Sequence, residues 1–182
     1  MKVVVAPNSF KGSLTATQAA LAMARGVRQA LPDAEVVRIP VADGGDGTVE
    51  ALVTARHGEY RVVTVEGPLR SPIAARYGLI DGGGTAVVEL ATSSGLALLD
   101  PRNLDVRKAS TYGFGQLLDA ARKSGASGII AGIGGSATND GGAGMAQALG
   151  YRLLDAGGAD IERGGAALME LERIDSAGVD PR

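Results

Sequence analysis

Hydrophobic residues in the first third of the chain follow two spacings, one typical of buried strands and one typical of amphipathic helices. Two short apolar runs alternate with two segments in which apolar residues recur every three or four positions. Thr15 and Gln18 open the first helical segment with the spacing of a capping box. This order predicts an α/β fold with a parallel sheet of the Rossmann or flavodoxin type. The four segments are residues 2–6, 15–31, 35–41 and 46–57.

The pattern changes after Tyr60, where strand-like runs follow one another without helices between them. These runs cover residues 61–65, 73–80 and 86–90. Next come a helix over 111–123, a buried strand over 129–131, a short helix over 145–149 and a strand over 151–154. The tail from residue 157 shows no closing element. We therefore expect two parts that pack as separate domains, residues 1–65 and a mixed α/β domain over residues 66–182.

The composition favours an aliphatic core joined by glycine-rich loops. Of the 182 residues, 45% are hydrophobic, only 3% are aromatic and 28 are glycine. This composition suits an α/β protein better than an antiparallel sandwich. The chain contains no cysteine, which excludes disulfides, thiolate metal ligands and cysteine nucleophiles.

The charge is nearly balanced. A formal net charge of −2 provides no broad electrostatic surface for nucleic acid or for a membrane. The first apolar run is too short for a signal peptide, and the longest uncharged segment is interrupted by glycine and serine. We therefore expect a soluble, cytoplasmic protein that holds any anion through loops and single basic residues.

The glycine-rich segment 132–144 connects the strand over 129–131 to a short helix. Glycines at such a turn let backbone N–H groups converge, and a helix start adds unpaired donors and a positive dipole end. The segment therefore predicts a phosphate or carboxylate site. The alternative is a structural turn in which Thr138 or Asp140 caps the helix. The candidate site residues are Gly134, Gly135, Ser136, Thr138, Asn139 and Asp140.

Two further loops follow predicted strands and carry polar residues. Lys11, in the loop over 7–13, is placed to meet a phosphate or carboxylate. Asp43 and Asp46, separated by glycines, could share one Mg²⁺ ion or reach a substrate hydroxyl. The alternative for Asp46 is a helix N-cap. Asp43 lies too far upstream to cap the same helix, which makes it the stronger candidate.

Motif tests narrow the class of protein. The sequence contains no G-x-x-x-x-G-K-[ST] motif, so it is not a P-loop nucleoside triphosphatase. Residues 132–137 match the permissive dinucleotide form G-x-G-x-x-G/A, and Asp155 ends a strand about twenty residues later. An NAD(P)-binding Rossmann-type fragment is therefore the alternative function. We interpret Arg70 and Arg76 as surface charges.

At these loops the sequence resembles a known family. Residues 7–14, 40–48 and 132–145 resemble the corresponding segments of type-1 glycerate kinases, and the likeness covers the whole chain. The resemblance implies phosphorylation of glycerate to phosphoglycerate by ATP, with Mg²⁺ as cofactor. It also implies a two-domain α/β protein in which residues 66–182 belong to a domain inserted into the one that residues 1–65 begin. Family members are about twice as long, so the first domain is expected to be incomplete here.

The resemblance also implies a cleft between the two domains, lined by the three loops. In this hypothesis Lys11 and the glycine-rich loop neutralise anionic charge, while Asp43 or Asp140 orients or deprotonates the accepting hydroxyl. Asp43 and Asp46 are the expected metal ligands. Many relatives have Asp where this chain has Asn8, and an amide can position a substrate but cannot act as a base. The expected substrate- and nucleotide-binding residues are Asn8, Ser9, Asp46, Gly134, Gly135, Ser136, Thr138 and Asn139.

An incomplete first domain has consequences for the isolated chain. Two strands with one helix each cannot cover both faces of a parallel sheet. We therefore expect residues 1–65 to expose an apolar edge or face. We also expect a chain that is marginally stable, self-associates through the incomplete domain, and has weak or no kinase activity.

Overall fold

The computed structural model describes residues 1–10 and 12–180. These residues form thirteen helices and strands, joined by four short 3₁₀ turns at Asp81–Gly83, Leu96–Leu98, Pro101–Asn103 and Gly165–Glu170. In chain order the elements are β1 (Lys2–Val5), α1 (Ala16–Ala30), β2 (Glu35–Arg38), α2 (Thr48–Ala55), β3 (Glu59–Glu66), β4 (Pro72–Ile80), β5 (Thr85–Glu89), α3 (Ala91–Ser94), α4 (Tyr112–Lys123), β6 (Gly128–Gly132), α5 (Ala143–Ala148), β7 (Arg152–Leu154) and β8 (Arg173–Asp175).

The first unit is a parallel pair, β1 and β2, connected by α1. Its strands run in register from Lys2 opposite Glu35 to Val5 opposite Arg38. The predicted capping box at α1 is confirmed: Gln18 N donates to Thr15 Oγ1 at 3.2 Å, and Thr15 N donates to Gln18 Oε1 at 2.9 Å. The strand–helix–strand prediction for this part of the chain is therefore confirmed.

The second unit is a mixed four-stranded sheet in the order β3-β4-β5-β6. The pairs β3–β4 and β4–β5 are antiparallel, and β5–β6 is parallel. Alternating side chains of the sheet face opposite layers: Val87 packs with Val49 of α2, whereas Val88 packs with Leu117 of α4. The result is a helix–sheet–helix sandwich, which agrees with the predicted mixed α/β class.

Strand pairing and helix packing connect residues on both sides of the expected boundary at residue 65. β3 pairs with β4 along its whole length, from Glu59 opposite Leu79 to Glu66 opposite Pro72. α2 also belongs to this layer, because it packs on β4 and β5. The sequence suggested a boundary at Tyr60 because helices stop alternating with strands there. Packing places residues 48–66 with the second sheet, and the position of the domain boundary stays a prediction.

The strand expected to be buried at 129–131 lies at an edge. β6 is the last strand of the sheet, and Ile129 and Ile130 remain 40% and 43% exposed. They point to opposite faces of the sheet, since their partners on β5 are Ala86 and Val87. Neither α2 nor α4 extends far enough to cover this strand. The apolar run therefore indicated a strand correctly but its burial wrongly.

The tail closes on itself, contrary to the expectation that it lacks a closing element. β7 pairs antiparallel with β8, from Arg152 opposite Asp175 to Leu154 opposite Arg173. A small apolar cluster that includes Leu153 and Ile161 packs beneath this pair. Among the helices that the structure describes, none has the length and apolar character needed to cross a membrane.

Candidate active site

A cleft of about 750 Å³ lies between the first unit and the sheet of the second. Loops that follow strands form much of its wall, as expected where ligands bind at the carboxyl ends of parallel strands. Five of the predicted site residues line it: Asn8 and Ser9 after β1, Asp43 and Asp46 after β2, and Gly135 after β6. Lys11 lies outside the described residues, and its role stays a prediction.

Two glycine-rich loops form the floor of this region by packing backbone against backbone. Gly134 N donates to Gly44 O at 2.8 Å. A Cβ atom at Gly132 would lie 2.7 Å from Gly44 O, and one at Gly134 would lie 2.8 Å from the Cα of Gly45. Side chains at these positions would force the loops apart. Part of the glycine pattern therefore serves the contact between the two loops.

Several polar groups of the glycine-rich segment that were expected to face an anion form hydrogen bonds within the protein instead. Ala137 N donates to Ser94 O at 2.9 Å, and Thr138 N donates to Ser136 Oγ at 3.0 Å. The Ser136 and Thr138 hydroxyls also bond to each other at 2.8 Å. The Asn139 side chain lies against Gly165. Ser136, Thr138 and Asn139 are absent from the described residues that line the cleft, so the structure does not bring them together with Asp43.

Asp140 is buried, with only 1% of its surface exposed. Its carboxylate accepts hydrogen bonds from Thr111 N at 2.8 Å, from Thr111 Oγ1 at 2.9 Å and from Gly144 N at 3.2 Å. Ser110 Oγ and Gly142 N donate to it as well. These donors occupy both oxygens and connect the starts of α4 and α5. This geometry does not favour the expected role as an orienting group or base, and it supports the alternative in which Asp140 caps backbone N–H groups.

Asp43 and Asp46 lie in the loop that leads into α2. Asp43 Oδ1 accepts a weak hydrogen bond from Gly45 N at 3.3 Å. The N-cap of α2 is Gly47, in the left-handed conformation at φ 93°, so the N-cap alternative for Asp46 is wrong. Instead, the Asp46 carboxylate lies against Gly135, because a Cβ atom added at Gly135 would be only 3.1 Å from Asp46 Oδ2. The cleft thus places the Asp46 carboxylate beside the glycine-rich loop.

Glu89 is a cleft residue that the sequence reasoning missed. It ends β5, is only 3% exposed, and accepts hydrogen bonds from Val49 N at 2.8 Å and Gly47 N at 3.4 Å. Its carboxylate thereby supplies the cap that α2 lacks from its own residues. Burial raises the pKa of the Glu89 carboxyl above its ordinary value of 4.5, and the two backbone hydrogen bonds oppose this shift. The sequence signal that could have identified this residue was a charged side chain within the apolar run 86–90.

Arg76 also lines the cleft, which places this surface charge beside the candidate site. Its guanidinium lies 5.1 Å from the centre of the Tyr60 ring and 3.6 Å from Glu50 Oε2. Glu50 in turn accepts a hydrogen bond from Thr17 Oγ1 at 2.6 Å. Thr17 belongs to α1 and Glu50 to α2, so this chain of contacts connects the two units along one wall of the cleft.

The residues present suit a magnesium–nucleotide complex better than a fully protein-bound metal. No group of three or more His, Asp or Glu side chains within residues 1–10 and 12–180 could hold a metal ion. Mg²⁺ at phosphoryl-transfer sites is commonly held by one or two carboxylates together with phosphate oxygens. Asp43 and Asp46 provide such a pair on the cleft wall.

The dinucleotide alternative is not supported by the topology. A ribose-binding acid would have to end a strand beside β6 in the same parallel sheet. β7 instead pairs with β8 in a separate sheet. Asp155 accepts a hydrogen bond from Ala159 N at 2.9 Å within a local turn. The match of residues 132–137 to the dinucleotide motif is therefore coincidental.

The fold and the cleft define an α/β protein with a carboxylate-lined site at strand ends. Comparison with known proteins is consistent with this class. A model of the glycerate kinase family matches residues 3–182. The chain belongs to the glycerate kinase family, which confirms the resemblance found in its sequence.

The similarity to individual relatives extends over the whole of this chain. It is 53% identical to a glycerate kinase of Halalkalibacterium halodurans over 99% of its residues and 47% of that protein. It is 50% identical to a glycerate 2-kinase of Escherichia coli K12 over all of its residues and 48% of that protein. A crystal structure from Salmonella typhimurium LT2, assigned as glycerate kinase 2, superposes with a TM-score of 0.83 at 49% identity and covers all of this chain and 49% of that one. The chain spans about half the length of these relatives.

Proposed function

We propose that this cleft belongs to an ATP-dependent kinase that phosphorylates glycerate to phosphoglycerate. The observation that carries the proposal is the placement of Asp43 and Asp46 on one cleft wall beside Gly135. The cleft volume of about 750 Å³ lies within the usual range for small-molecule sites. Family membership supports the choice of substrate and of nucleotide.

The residues of the cleft suit catalysis by positioning and charge stabilisation. Asp43 is the proposed group that orients or deprotonates the accepting hydroxyl. Asn8 and Ser9 follow β1 and are proposed to position the substrate. Asp46 is the proposed carboxylate toward Mg²⁺. When bound with ATP, Mg²⁺ would neutralise charge on the transferred phosphoryl group.

The remaining predicted residues take different parts in this proposal. Lys11 follows β1 in sequence and is proposed to neutralise phosphate or carboxylate charge. Asp140 does not contact ligand and acts as a positioning residue, because it holds the starts of α4 and α5. Gly134 and Gly135 shape the floor of the cleft, while Ser136, Thr138 and Asn139 stabilise the loop that contains them.

We also propose a domain arrangement. Residues 1–47 begin the discontinuous domain, and residues 48–180 form the main part of the inserted one. The packing of α2 and β3 with β4 supports this division. Polypeptide corresponding to the second half of the relatives would complete the first domain.

ADP release from MgATP tests the proposed reaction. We expect the 182-residue chain to release ADP only when glycerate is present. Asp43→Asn keeps the side-chain shape and should lower that rate about 100-fold or more if Asp43 is the base. NADH fluorescence, measured in parallel, should show no saturable binding. Absence of glycerate-dependent ADP release together with absence of saturable ATP binding would contradict the proposal.

A further inference from the structure

The cleft is rich in carboxylates, and this creates an electrostatic problem for an acidic substrate. Asp43, Asp46, Glu50 and Glu89 all line it. Among the described residues that line it, Arg76 is the only cation. A substrate carboxylate entering this cleft would be repelled unless a positive group met it. Arg76 is therefore the cation that the described part of the cleft offers to such a carboxylate; Lys11, proposed above to neutralise anionic charge, lies outside the described residues.

Two neighbouring side chains hold the Arg76 side chain in place without accepting a hydrogen bond from it. The Tyr60 ring supports the guanidinium at 5.1 Å, and Glu50 Oε2 lies 3.6 Å away, too far for a hydrogen bond. Within the part of the chain that the structure describes, the guanidinium donates no hydrogen bond. Its side chain is 45% exposed, and Arg76 lines the cleft. A planar donor group in this state is preorganised for two parallel hydrogen bonds to a carboxylate.

The fold itself gains little from this arginine. A solvent-exposed ion pair at 3.6 Å and a cation–π contact at the surface each contribute little to stability. A structural explanation would therefore predict only a small effect of removing the charge on both stability and binding. A recognition role predicts a small effect on stability with a large effect on binding.

We propose that Arg76 binds the carboxylate of the hydroxy-acid substrate, with Tyr60 and Glu50 orienting its guanidinium. This assignment rests on the proposed function and names the residue that recognises the acid. A phosphate of ATP presents similar chemistry to an arginine, so the experiment must distinguish the two anions. We assign the carboxylate to Arg76 because it lies beside Glu50, whereas Asp46, the carboxylate proposed to face Mg²⁺ and the nucleotide, lies beside Gly135 of the glycine-rich loop.

Calorimetric titration of the 182-residue chain with glycerate and, separately, with MgATP tests the assignment. Arg76→Gln should weaken glycerate binding about 10- to 100-fold and leave MgATP binding and the melting temperature nearly unchanged. Arg61→Gln is the matched control. Arg61 lies on β3, opposite Tyr77 of β4 and on the other face of the sheet, with a similar exposure of 51% and one surface ion pair to Glu59. The Arg61→Gln variant should bind glycerate and MgATP as tightly as the wild type does.

The outcomes separate this assignment from the proposed function. If the wild type binds glycerate and Arg76→Gln binds it equally well, the assignment is overturned while the kinase proposal stands. If Arg76→Gln loses MgATP binding and keeps glycerate binding, Arg76 serves the nucleotide and the assignment is again overturned. If the wild-type chain binds neither ligand, the proposed function fails and the assignment fails with it.

Discussion

At the scale of single residues, two buried carboxylates hold backbone in place around the cleft. Asp140 joins the starts of α4 and α5, and Glu89 caps α2 from the end of β5. Both are almost fully buried, which is unusual for acidic residues unless donors surround them. Gly144 is near Asp140 in sequence, but Thr111 is 29 residues from Asp140 and Val49 is 40 residues from Glu89. Local patterns could mark these acids as unusual but could not identify their partners.

Asp140 should matter for stability. Replacing it with Ala removes the acceptor for several buried donors, each of which costs about 1–3 kcal/mol when left unpaired. We expect Asp140→Ala to lower the free energy of unfolding by more than about 2 kcal/mol in urea denaturation. Asp160→Ala, which breaks an exposed pair with Arg152, should cost less than about 1 kcal/mol. Equal effects of the two variants would contradict the structural role of Asp140.

Glu89 should make stability depend on pH in a defined direction. Its folded-state pKa is raised above 4.5, so between these two values the folded chain binds more protons than the unfolded chain. The stabilisation is complete below the unfolded pKa and is lost as pH rises through the folded pKa. We expect the stability of the wild type relative to Glu89→Gln to fall as pH rises from about 4 toward neutrality. Denaturation at several pH values measures this difference; a flat or rising difference would contradict the raised pKa.

At the scale of elements, the two glycine-rich loops are the main determinant of the cleft. The sequence located both loops and the capping box of α1, because those signals are local. It could not decide between an anion-binding turn and a close backbone contact, because both require glycine. The contact of Gly44 with Gly132 joins positions far apart in the chain. Likewise, α2 packs on β4 and β5, which lie far from it in the chain, so the local sequence pattern could not place α2 with the second sheet.

Alanine substitutions of the two glycines at opposite ends of β6, Gly128 and Gly132, test the contact between the loops. A Cβ at Gly132 would lie 2.7 Å from Gly44 O, whereas one at Gly128 would meet nothing within 4 Å. Gly132→Ala should therefore destabilise the chain by about 1–3 kcal/mol and weaken ligand binding. Gly128→Ala should change stability by no more than about 0.5 kcal/mol. Thermal melts of both variants provide the comparison, and an unaffected Gly132→Ala would show that the loops are free to separate.

At the scale of the whole molecule, the chain leaves apolar surface uncovered. Val4 of β1 is 55% exposed, and an open groove beside it is lined by β1 and α1. Ile129 and Ile130 are uncovered on the edge strand β6. The structure agrees with the expectation that residues 1–65 expose apolar surface. It also shows exposed apolar side chains on β6, in the second unit, where none were expected. Its consequence for association in solution stays a prediction.

We expect the isolated chain to self-associate through such surface. An unpaired edge strand with apolar side chains is a template for pairing with another copy. Ile130→Lys places a charge on this edge and should reduce the associated fraction in sedimentation velocity. Met169→Lys, at a 93% exposed position away from the sheet, is the control and should leave association unchanged. A wild-type chain that remains monomeric at high concentration would refute this expectation.

The central claim is that the cleft between the two units binds the hydroxy acid. Backbone NMR of the chain titrated with glycerate tests it most directly. We predict saturable shifts at residues 8–9, 43–47, Arg76 and Gly135, with none at the apolar groove formed by β1 and α1. Shifts confined to that groove, or no saturable shifts at all, would contradict the account.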